Sequence, residues 1–433
     1  MKTKEIKAAL LGMGTVGTGI YKVLKMQQDE MEKKVGCKIK ITRILVRNIK
    51  KAQAKVDDPS VKITDRWEDI INDPDIQIVI ELIGGIEPAR TYIREALERG
   101  INVVTANKDL MAECGGELLD IAIANKADLF FEASVAGGIP IIQPLKQSLS
   151  ANHLTEAAGI VNGTTNFILT RMFQDGMEFD DALAMAKDLG YAEADPTADV
   201  EGLDAARKVA ILASIAFNSR VVFQDVHAEG ITKISARDIE YAMEMGYAIK
   251  LLGIARNEPD GIEAYVCPML IPDKHPLASV NDSFNAVFIH GDAVDDAMFF
   301  GRGAGEMPTA SAVAGDVFEV ARNILTDCCG RVGCTCYKQI PIKNFEDTRN
   351  RFYSRMLVED RSGVLAEMTE VLARYKISIV QLIQKESRHE WMAEVVIMTD
   401  SVREGDFRKA MDELKQRTCV KSMRSVIRVY RRK

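Results

Sequence analysis

An aspartate and a lysine, four residues apart, are the pair best suited to chemistry in this chain of 433 residues. At that spacing, Asp204 and Lys208 share one face of a helix. The apolar run 209–217 continues the helix as a buried segment, so the pair is expected at the edge of a core. A lysine placed there can give or take a proton. The same spacing also occurs in purely structural ion pairs, so both interpretations stay open.

Three carboxylates precede this pair on a loop rich in glycine, alanine and proline. They are Glu193, Asp195 and Asp199. Such a group can hold a substrate ammonium beside a lysine that transfers a proton. The segment 190–208 therefore predicts a site for a small molecule that carries an amino group.

A glycine-rich loop near the start of the chain has the form of a dinucleotide-binding motif. Gly12, Gly14 and Gly17 give the pattern G-x-G-x-x-G between a predicted strand, 6–11, and a predicted helix, 16–34. The glycines provide a tight turn, close backbone approach to a pyrophosphate and close helix–sheet packing. The helix N-terminus favours the anion. The alternative is a glycine-rich turn in a Rossmann-like domain that binds no nucleotide.

The end of the second predicted strand, 39–46, bears on the choice of cofactor. An acidic residue there would bind the ribose 2′-hydroxyl of NAD. This chain has Arg47 instead, with Lys50 and Lys51 nearby, and these cations favour the 2′-phosphate of NADP. If the charges are only solvated, either cofactor can bind.

Lys108 follows a further predicted strand, 101–105, in a sheet whose strands are expected to be parallel. The carboxyl ends of such strands face the ligand crevice. Lys108 is therefore expected to lie near the substrate or the nicotinamide, and the alternative is a surface lysine in a loop.

The elements that must position these residues predict an α/β protein. Strands alternate with helices over residues 1–135, which predicts a Rossmann-type, doubly wound parallel sheet, and a helix at about 312–327 is expected to return to it. A mixed α+β domain for catalysis and dimerisation is predicted over 136–311, followed by a linker, 328–350. Residues 351–433 read strand–helix–strand–strand–helix–strand, a ferredoxin-like βαββαβ arrangement.

Composition narrows the class of protein. The chain is 47% hydrophobic and 27% charged, which is typical of a globular protein. A net charge of −7 gives no basis for binding nucleic acid. No apolar run approaches the roughly 20 residues that span a bilayer, and the charged start, 1–7, predicts no secretory signal. We therefore expect a cytoplasmic protein with reduced thiols.

A cluster of cysteines invites a metal or redox interpretation. It comprises Cys328, Cys329, Cys334 and Cys336. The cluster lacks two separated CxxC pairs and a histidine nearby in sequence, so incidental cysteines are the favoured interpretation.

Six segments, in this order, resemble homoserine dehydrogenase, and the resemblance covers essentially the whole chain. They are 12–17, 105–108, 132–140, 162–166, 189–196 and 202–208. The block 190–208 is highly specific, whereas the glycine loop is generic. The resemblance implies an oxidoreductase that interconverts L-homoserine and L-aspartate 4-semialdehyde with NADP or NAD, in threonine, methionine and isoleucine biosynthesis. It also implies a homodimer or homotetramer.

The resemblance also implies roles for individual residues. Lys208 would give and take the proton at the substrate oxygen while hydride passes between C4 of the substrate and the nicotinamide. Lys108 would line the same pocket. The implied substrate-binding residues are Glu193, Asp199, Asp204, Gly163 and Thr164. Together with Arg47, the dinucleotide-binding residues are Gly12, Gly14, Thr15, Val16, Gly17, Thr105, Lys108, Gly190 and Gly305. A monovalent cation such as Na⁺ would brace a loop at Glu132, Val135, Gly137 and Ile139.

The segment 360–365, which opens a helix after a strand, resembles the start of an ACT domain. Such domains often pair and bind small amino acids. Gly363, Val364 and Leu365 are the expected effector-binding residues, and threonine is the leading effector. The expected role is feedback inhibition, and the alternative is a domain that only dimerises or whose regulation has been lost.

Two other functions stay open. One is a dehydrogenase of another small amino or hydroxy acid. The other is a non-catalytic amino-acid sensor, against which the combination of Lys208, Asp204, Glu193 and Lys108 argues, because a sensor needs no lysine for proton transfer.

Overall fold

The computed structural model describes residues 5–387 and 391–431. Its strands are β1 Glu5–Leu11, β2 Lys38–Leu45, β3 Lys62–Thr64, β4 Ile76–Glu81, β5 Asn102–Thr105, β6 Leu129–Phe130, β7 Leu154–Ile160, β8 His227–Ala228, β9 Tyr247–Glu258, β10 Gly261–Pro272, β11 Phe284–Gly291, β12 Asp295–Arg302, β13 Arg349–Glu359, β14 Ile379–Glu386, β15 Met392–Thr399, β16 Val402–Arg403 and β17 Val420–Val429. Its helices are α1 Thr15–Met26, α2 Gln28–Val35, α3 Ile49–Gln53, α4 Glu68–Ile71, α5 Ala89–Glu98, α6 Lys108–Ala124, α7 Gly163–Asp175, α8 Phe179–Asp188, α9 Thr197–Val200, α10 Leu203–Phe217, α11 Ala236–Glu244, α12 Glu306–Leu325, α13 Val364–Arg374 and α14 Glu404–Gln416.

The chain folds into two compact units, each built from segments that are distant in sequence. The first unit comprises Met1–Ala157, Arg207–Val226 and Asn285–Ile340, and the second comprises Ala158–Ala206, His227–Phe284 and Pro341–Lys433. The predicted domains mostly follow chain order, and their boundaries stay a prediction. Their outer ends, residues 1 and 433, lie outside the described residues.

A six-stranded parallel sheet forms the centre of the first unit. Its strand order is β3-β2-β1-β4-β5-β6, which is the order of a dinucleotide-binding doubly wound sheet. Leu11, the last residue of β1, pairs with Leu45 on one side and Glu81 on the other. The loops that follow these three strands therefore open at the same edge. The predicted Rossmann-type sheet is confirmed.

Helix α12 packs into the core of this sheet, although it lies far along the chain. Its buried residues Val313, Val317 and Val320 belong to the same apolar cluster as Ile6 and Leu10 of β1. Packing of this kind fixes the helix against the strand that leads into the glycine loop.

The helix predicted over 16–34 is two helices, α1 and α2, which meet at Gln27. The buried face of α1 ends with Leu24, and polar Gln27 and Gln28 stand where its apolar stripe would continue. A second helix lets the chain bury Met31 and continue beyond this interruption.

In the second unit, neighbouring strands follow the order β9-β10-β17-β13-β15-β14. The last four strands pair antiparallel and, with α13 and α14, form the predicted ferredoxin-like βαββαβ arrangement. Phe352 of β13 stacks on Phe407 of α14 with ring centroids 3.8 Å apart. Strand β17 also pairs in parallel with β10, Met269 opposite Arg428, so the C-terminal sheet continues into strands from the middle of the chain.

None of the helices in the described part of the chain combines the length and apolarity needed to cross a bilayer.

Candidate active site

The loop between β1 and α1 shows why each motif glycine stands where it does. Gly12 has φ +99°, and a Cβ there would lie 2.7 Å from the carbonyl oxygen of Leu82. A Cβ on Gly17 would lie 2.2 Å from the carbonyl oxygen of Gly12. Gly14 has no atom within 4 Å of its Cβ position. The first and third glycines are therefore required by packing, and the second leaves the backbone open to a ligand.

A cavity of about 1000 Å³ adjoins this loop in the first unit. Of the predicted dinucleotide-binding residues, it is lined by Gly12, Gly14, Thr15 and Arg47. The remaining ones lie outside its lining: Val16, Gly17, Thr105, Lys108 and Gly305 in the first unit, and Gly190 in the second. Gly305 directly precedes α12, whose first residue, Glu306, does line the cavity. The cavity is large enough for a cofactor-sized ligand.

Cations surround the part of the cavity that follows β2. Arg47 is exposed in the turn before α3, and Asn48 caps that helix by accepting the Lys51 N–H at 3.0 Å. Lys22, Lys51 and Lys55 also line the cavity, together with three carboxylates, Asp65, Glu87 and Glu306. Arg47 and Lys51 both belong to the segment that directly follows β2, which gives this end of the cavity a local positive charge.

Two side chains that sequence reasoning missed organise the ends of β4 and β5. Glu81 is fully buried, and its carboxylate accepts a hydrogen bond from the Thr105 hydroxyl at an oxygen–oxygen distance of 2.6 Å. Asn107 caps α6 by accepting the Leu110 N–H at 3.1 Å, which makes Lys108 the first residue of that helix. The Thr105 hydroxyl is thus used within the protein. A lone carboxylate at the end of the apolar strand β4 was the signal that could have revealed Glu81.

In the second unit, one amide holds two of the predicted substrate-binding carboxylates. Asn162 donates to Asp204 at 2.8 Å and to Asp199 at 2.7 Å. Its own oxygen caps α7 by accepting the Thr165 N–H at 2.9 Å. Because α7 fixes the Asn162 side chain, both carboxylates have set positions, and Asp204 is only 6% exposed. Sequence reasoning assigned no role to Asn162.

The other predicted substrate-binding residues lie around the same helix. Gly163 is the first residue of α7. Thr164 donates its hydroxyl to the carbonyl oxygen of Tyr191 at 2.7 Å, which ties the acidic loop to α7. Glu193 is exposed on that loop, and Gly190 turns the chain into it with φ +75°. An exposed carboxylate beside the half-buried Asp199 and the buried Asp204 suits the capture of a cation from solvent.

Lys208 lies on α10 one turn after Asp204 and is 9% exposed. The residue beside it, Arg207, forms an ion pair of 2.7 Å with Asp109 of α6. Asp109 in turn follows Lys108. Within the first unit, this ion pair therefore joins the two helices that carry the predicted catalytic lysines.

The residues predicted to hold a cation form a tight turn after β6. The Glu132 carboxylate accepts backbone N–H groups of Ile142 at 2.6 Å and Gln143 at 2.8 Å. Its backbone N–H donates to Asp316 at 2.8 Å. Burial raises the pKa of both carboxyl groups, and the charge of Glu132 further raises the pKa of Asp316. Gly137, at φ +52°, faces the carbonyl oxygen of Gly303. The Lys146 ammonium lowers the pKa of both carboxyl groups, and a bound cation would act in the same sense.

A cavity of about 260 Å³ lies at the start of α13, in the C-terminal part of the second unit. It is lined by the three predicted effector-binding residues, Gly363, Val364 and Leu365, and by Gln384 of β14. Gly363 has φ +93°, and no atom lies within 4 Å of its Cβ position. The first-turn amides of a helix have no intrahelical acceptor, so they suit a ligand carboxylate.

All eight cysteines are free thiols. Among residues 5–387 and 391–431, the only group that places three ligand atoms close together is His290, Asp295 and Asp296, of which the two aspartates rank as exposed or nearly so. The four cysteines of the cluster are not part of such a group among these residues.

Comparison with known proteins finds similar sequences and similar solved structures. Residues 12–132 match the profile "Homoserine dehydrogenase, NAD binding domain", 140–318 match "Homoserine dehydrogenase", and 355–418 match "ACT domain". A homoserine dehydrogenase of Bacillus subtilis is 43% identical over 427 residues, with 98% of each chain covered. A solved homoserine dehydrogenase from Thiobacillus denitrificans has a TM-score of 0.93 at 42% identity, with 99% of each chain covered. A solved hyperthermophilic archaeal homoserine dehydrogenase in complex with NADPH has a TM-score of 0.62 at 26% identity, over 73% of this chain and 98% of the other.

Proposed function

Because this chain belongs to the homoserine dehydrogenase family, we propose that it interconverts L-homoserine and L-aspartate 4-semialdehyde with NAD(P). The observation that carries the proposal is the arrangement on α10. A nearly buried lysine, Lys208, follows by one turn a carboxylate, Asp204, that Asn162 holds in place. The same Asn162 amide also holds a second carboxylate, Asp199. An ion pair with a purely structural role would not need this second carboxylate.

The roles of the side chains follow from their chemistry. Glu193, Asp199 and Asp204 bind the substrate ammonium, and Thr164 and Gly163 shape the loop around it. Lys208 accepts the proton of the substrate hydroxyl during oxidation and returns it to the aldehyde oxygen during reduction. Lys108 orients the substrate in this proposal. When bound, the nicotinamide accepts or delivers the hydride at C4.

We propose NADP as the preferred cofactor. Arg47 and Lys51 line the cavity where a 2′-phosphate would lie, and β2 is followed by no acidic residue that would select NAD. Arginine binds phosphate through two parallel hydrogen bonds, so it should contribute more than the lysine.

A monovalent cation such as Na⁺ fits beside the turn after β6. Glu132 would supply a carboxylate oxygen, and the carbonyl groups of Val135, Gly137 and Ile139 would supply the others. The nearby Asp316 gives the electrostatic reason, because a positive ion offsets two buried negative charges. This ion braces the turn and takes no part in proton transfer.

The ACT domain binds a small amino acid, and we propose threonine. The cavity at Gly363 has the size for such a ligand. Buried ion pairs connect the ACT domain to the rest of the second unit. Arg355 of β13 pairs with Asp238 of α11 at 2.8 Å and with Glu394 of β15 at 3.1 Å. Breaking a buried pair is costly, so α11 is expected to move together with the ACT strands.

A homodimer or homotetramer is the proposed assembly. Strand β12 exposes Phe300 at 53% and Met298 at 40%, large apolar side chains that a second copy would cover. A cytoplasmic location stays a prediction.

The experiment that tests the function is cofactor reduction with L-homoserine at alkaline pH, where release of a proton favours oxidation. Turnover with homoserine and not with other small hydroxy or amino acids would establish the proposed reaction. Nucleotide binding without turnover of any of them would leave the sensor alternative instead.

A further inference from the structure

A second cavity in the first unit, of about 370 Å³, has a lining that the proposed reaction does not use. Its polar lining comprises three thiols, three basic side chains and two carboxylates: Cys114, Cys334, Cys336, Arg90, Lys146, Arg220, Glu113 and Glu117, besides smaller polar groups. Helices α6 and α10 contribute Gly116 and Ser214 among other residues. These are the helices on which Lys108 and Lys208 stand.

Arg220 lines this cavity and lies against α6. A Cβ on Gly116 would lie 2.1 Å from the Arg220 Cζ, so the glycine leaves the space that the guanidinium occupies. Asp120, one turn further along α6, lies 3.5 Å from the same guanidinium. Glycine within a helix costs about 0.5–1 kcal/mol relative to alanine, and here it leaves space for the half-exposed guanidinium of Arg220.

The two thiols differ in their hydrogen bonds. Cys334 accepts from the Cys336 thiol, from the Cys336 backbone N–H at 3.5 Å, and from Arg220. These donors, in that order, lower the pKa of Cys334, and donation by Cys336 raises the pKa of that second thiol. The Cys336 sulfur also lies 3.5 Å from the Ser214 carbonyl oxygen of α10. One nucleophilic sulfur thus stands beside one protonated thiol.

We propose that Cys334 and Cys336 form a thiol site that reacts with hydroperoxides. The Cys334 thiolate attacks the distal oxygen of the hydroperoxide, so that an S–O bond forms and the O–O bond breaks. The alkoxide or hydroxide leaves and takes a proton from solvent, and Cys334 becomes a sulfenic acid. Cys336 then attacks the Cys334 sulfur, a disulfide forms, and the hydroxyl leaves as water with the Cys336 proton. Sulfur is oxidised and the peroxide is reduced.

A disulfide between these cysteines removes the Cys336 thiol from its place beside Ser214 of α10. It also removes the thiolate that faces Arg220, whose guanidinium lies against Gly116 of α6. Both changes occur at contacts with the helices that carry Lys108 and Lys208, so oxidation is expected to lower turnover. This last step rests on the proposed function, whereas the thiol chemistry does not.

The test treats the reduced full-length protein with hydrogen peroxide and identifies oxidised cysteines by peptide mass spectrometry. The expected product is a Cys334–Cys336 disulfide, formed before the other cysteines react. Cys336→Ser should leave a sulfenic acid on Cys334 that dimedone traps, and Cys334→Ser should abolish the reaction. Cys114→Ser is the matched control because Cys114 lines the same cavity, yet burial raises the pKa of its thiol. Oxidation of Cys334 no faster than Cys114 would overturn the proposal.

Two further readouts separate the parts of the proposal. Arg220→Gln should slow alkylation of Cys334 by iodoacetamide at mildly acidic pH. An unchanged rate would show that Arg220 is not part of the proposed thiol site. Homoserine turnover should fall on oxidation and recover with dithiothreitol. A disulfide without any change in turnover would overturn the link to α10. A reduced protein without turnover would instead contradict the proposed function, while the thiol chemistry could still be scored by mass.

Discussion

Arg207 and Asp109 lie 2.7 Å apart, and each is the immediate neighbour of a lysine assigned to the reaction, Lys208 or Lys108. Arg207 also stacks over the Phe223 ring, 4.5 Å from its centroid, so the guanidinium is held from two directions. The two lysines belong to different helices that no local sequence pattern connects. The ion pair therefore sets the distance between the starts of α6 and α10.

Arg207→Met should lower kcat more than it raises KM, since it loosens the catalytic lysines without removing them. The expected loss is roughly fivefold to tenfold in kcat, or about 1–1.4 kcal/mol. Arg171→Met is a matched control: Arg171 is similarly buried, pairs with Asp282 at 2.7 Å and stacks over Phe167. Equal losses in both variants would mean that the Arg207 pair acts only on stability.

Arg47→Leu should raise KM for NADP by roughly tenfold to a hundredfold, the effect of losing hydrogen bonds to a charged group. KM for NAD should hardly change, because NAD lacks the 2′-phosphate. Steady-state kinetics with both cofactors measure the ratio. Arg66→Leu, which removes an exposed arginine paired with Glu68, controls for loss of positive charge. Parallel changes for both cofactors would contradict the assignment of Arg47.

Sodium should raise the melting temperature relative to tetramethylammonium at equal ionic strength, because only the small ion fits beside Glu132. An ion that binds only the folded protein raises the free energy of unfolding by about 2.7 kcal/mol when its concentration is a hundred times Kd. Glu132→Gln should lose this difference between the two salts. The proposed cation site would be refuted if the wild-type protein melted at the same temperature in both.

Millimolar threonine should inhibit homoserine oxidation by the wild-type protein. The Gly363→Ala variant should need a higher threonine concentration for the same inhibition, because the added Cβ lies at the cavity that would hold threonine. Gly176→Ala carries matched backbone strain, since Gly176 also has a positive φ and no atom near its Cβ position. Inhibition should persist in that control. A wild-type enzyme that ignores threonine would leave the ACT domain with a different ligand or with assembly alone.

Features that depend on local spacing could be predicted from the sequence. The glycine loop, the four-residue spacing of Asp204 and Lys208, and the alternation of strands and helices each follow from neighbouring residues. The C-terminal βαββαβ arrangement was predicted for the same reason. These patterns set both the sheet at Gly12 and the helix that carries Lys208.

Features that depend on contacts between distant segments could not be predicted in this way. Asn162 holds Asp199 and Asp204 only because α7 folds back beside α10's first turn. Glu81 serves Thr105 only because β4 and β5 are neighbours in the sheet. Nothing in the local order of residues states which strand or helix will lie beside which, so these side chains had no assigned role.

The role of Lys208 is tested most directly by the turnover of Lys208→Ala with L-homoserine, measured beside the dissociation constant for the substrate. We expect kcat to fall by about 10²–10⁴, the contribution of a positioned acid–base group, while substrate binding is largely kept. Lys208→Arg should be equally inactive, because arginine keeps the charge but does not release its proton. Turnover of Lys208→Ala near that of the wild-type enzyme would contradict the role of Lys208 in proton transfer.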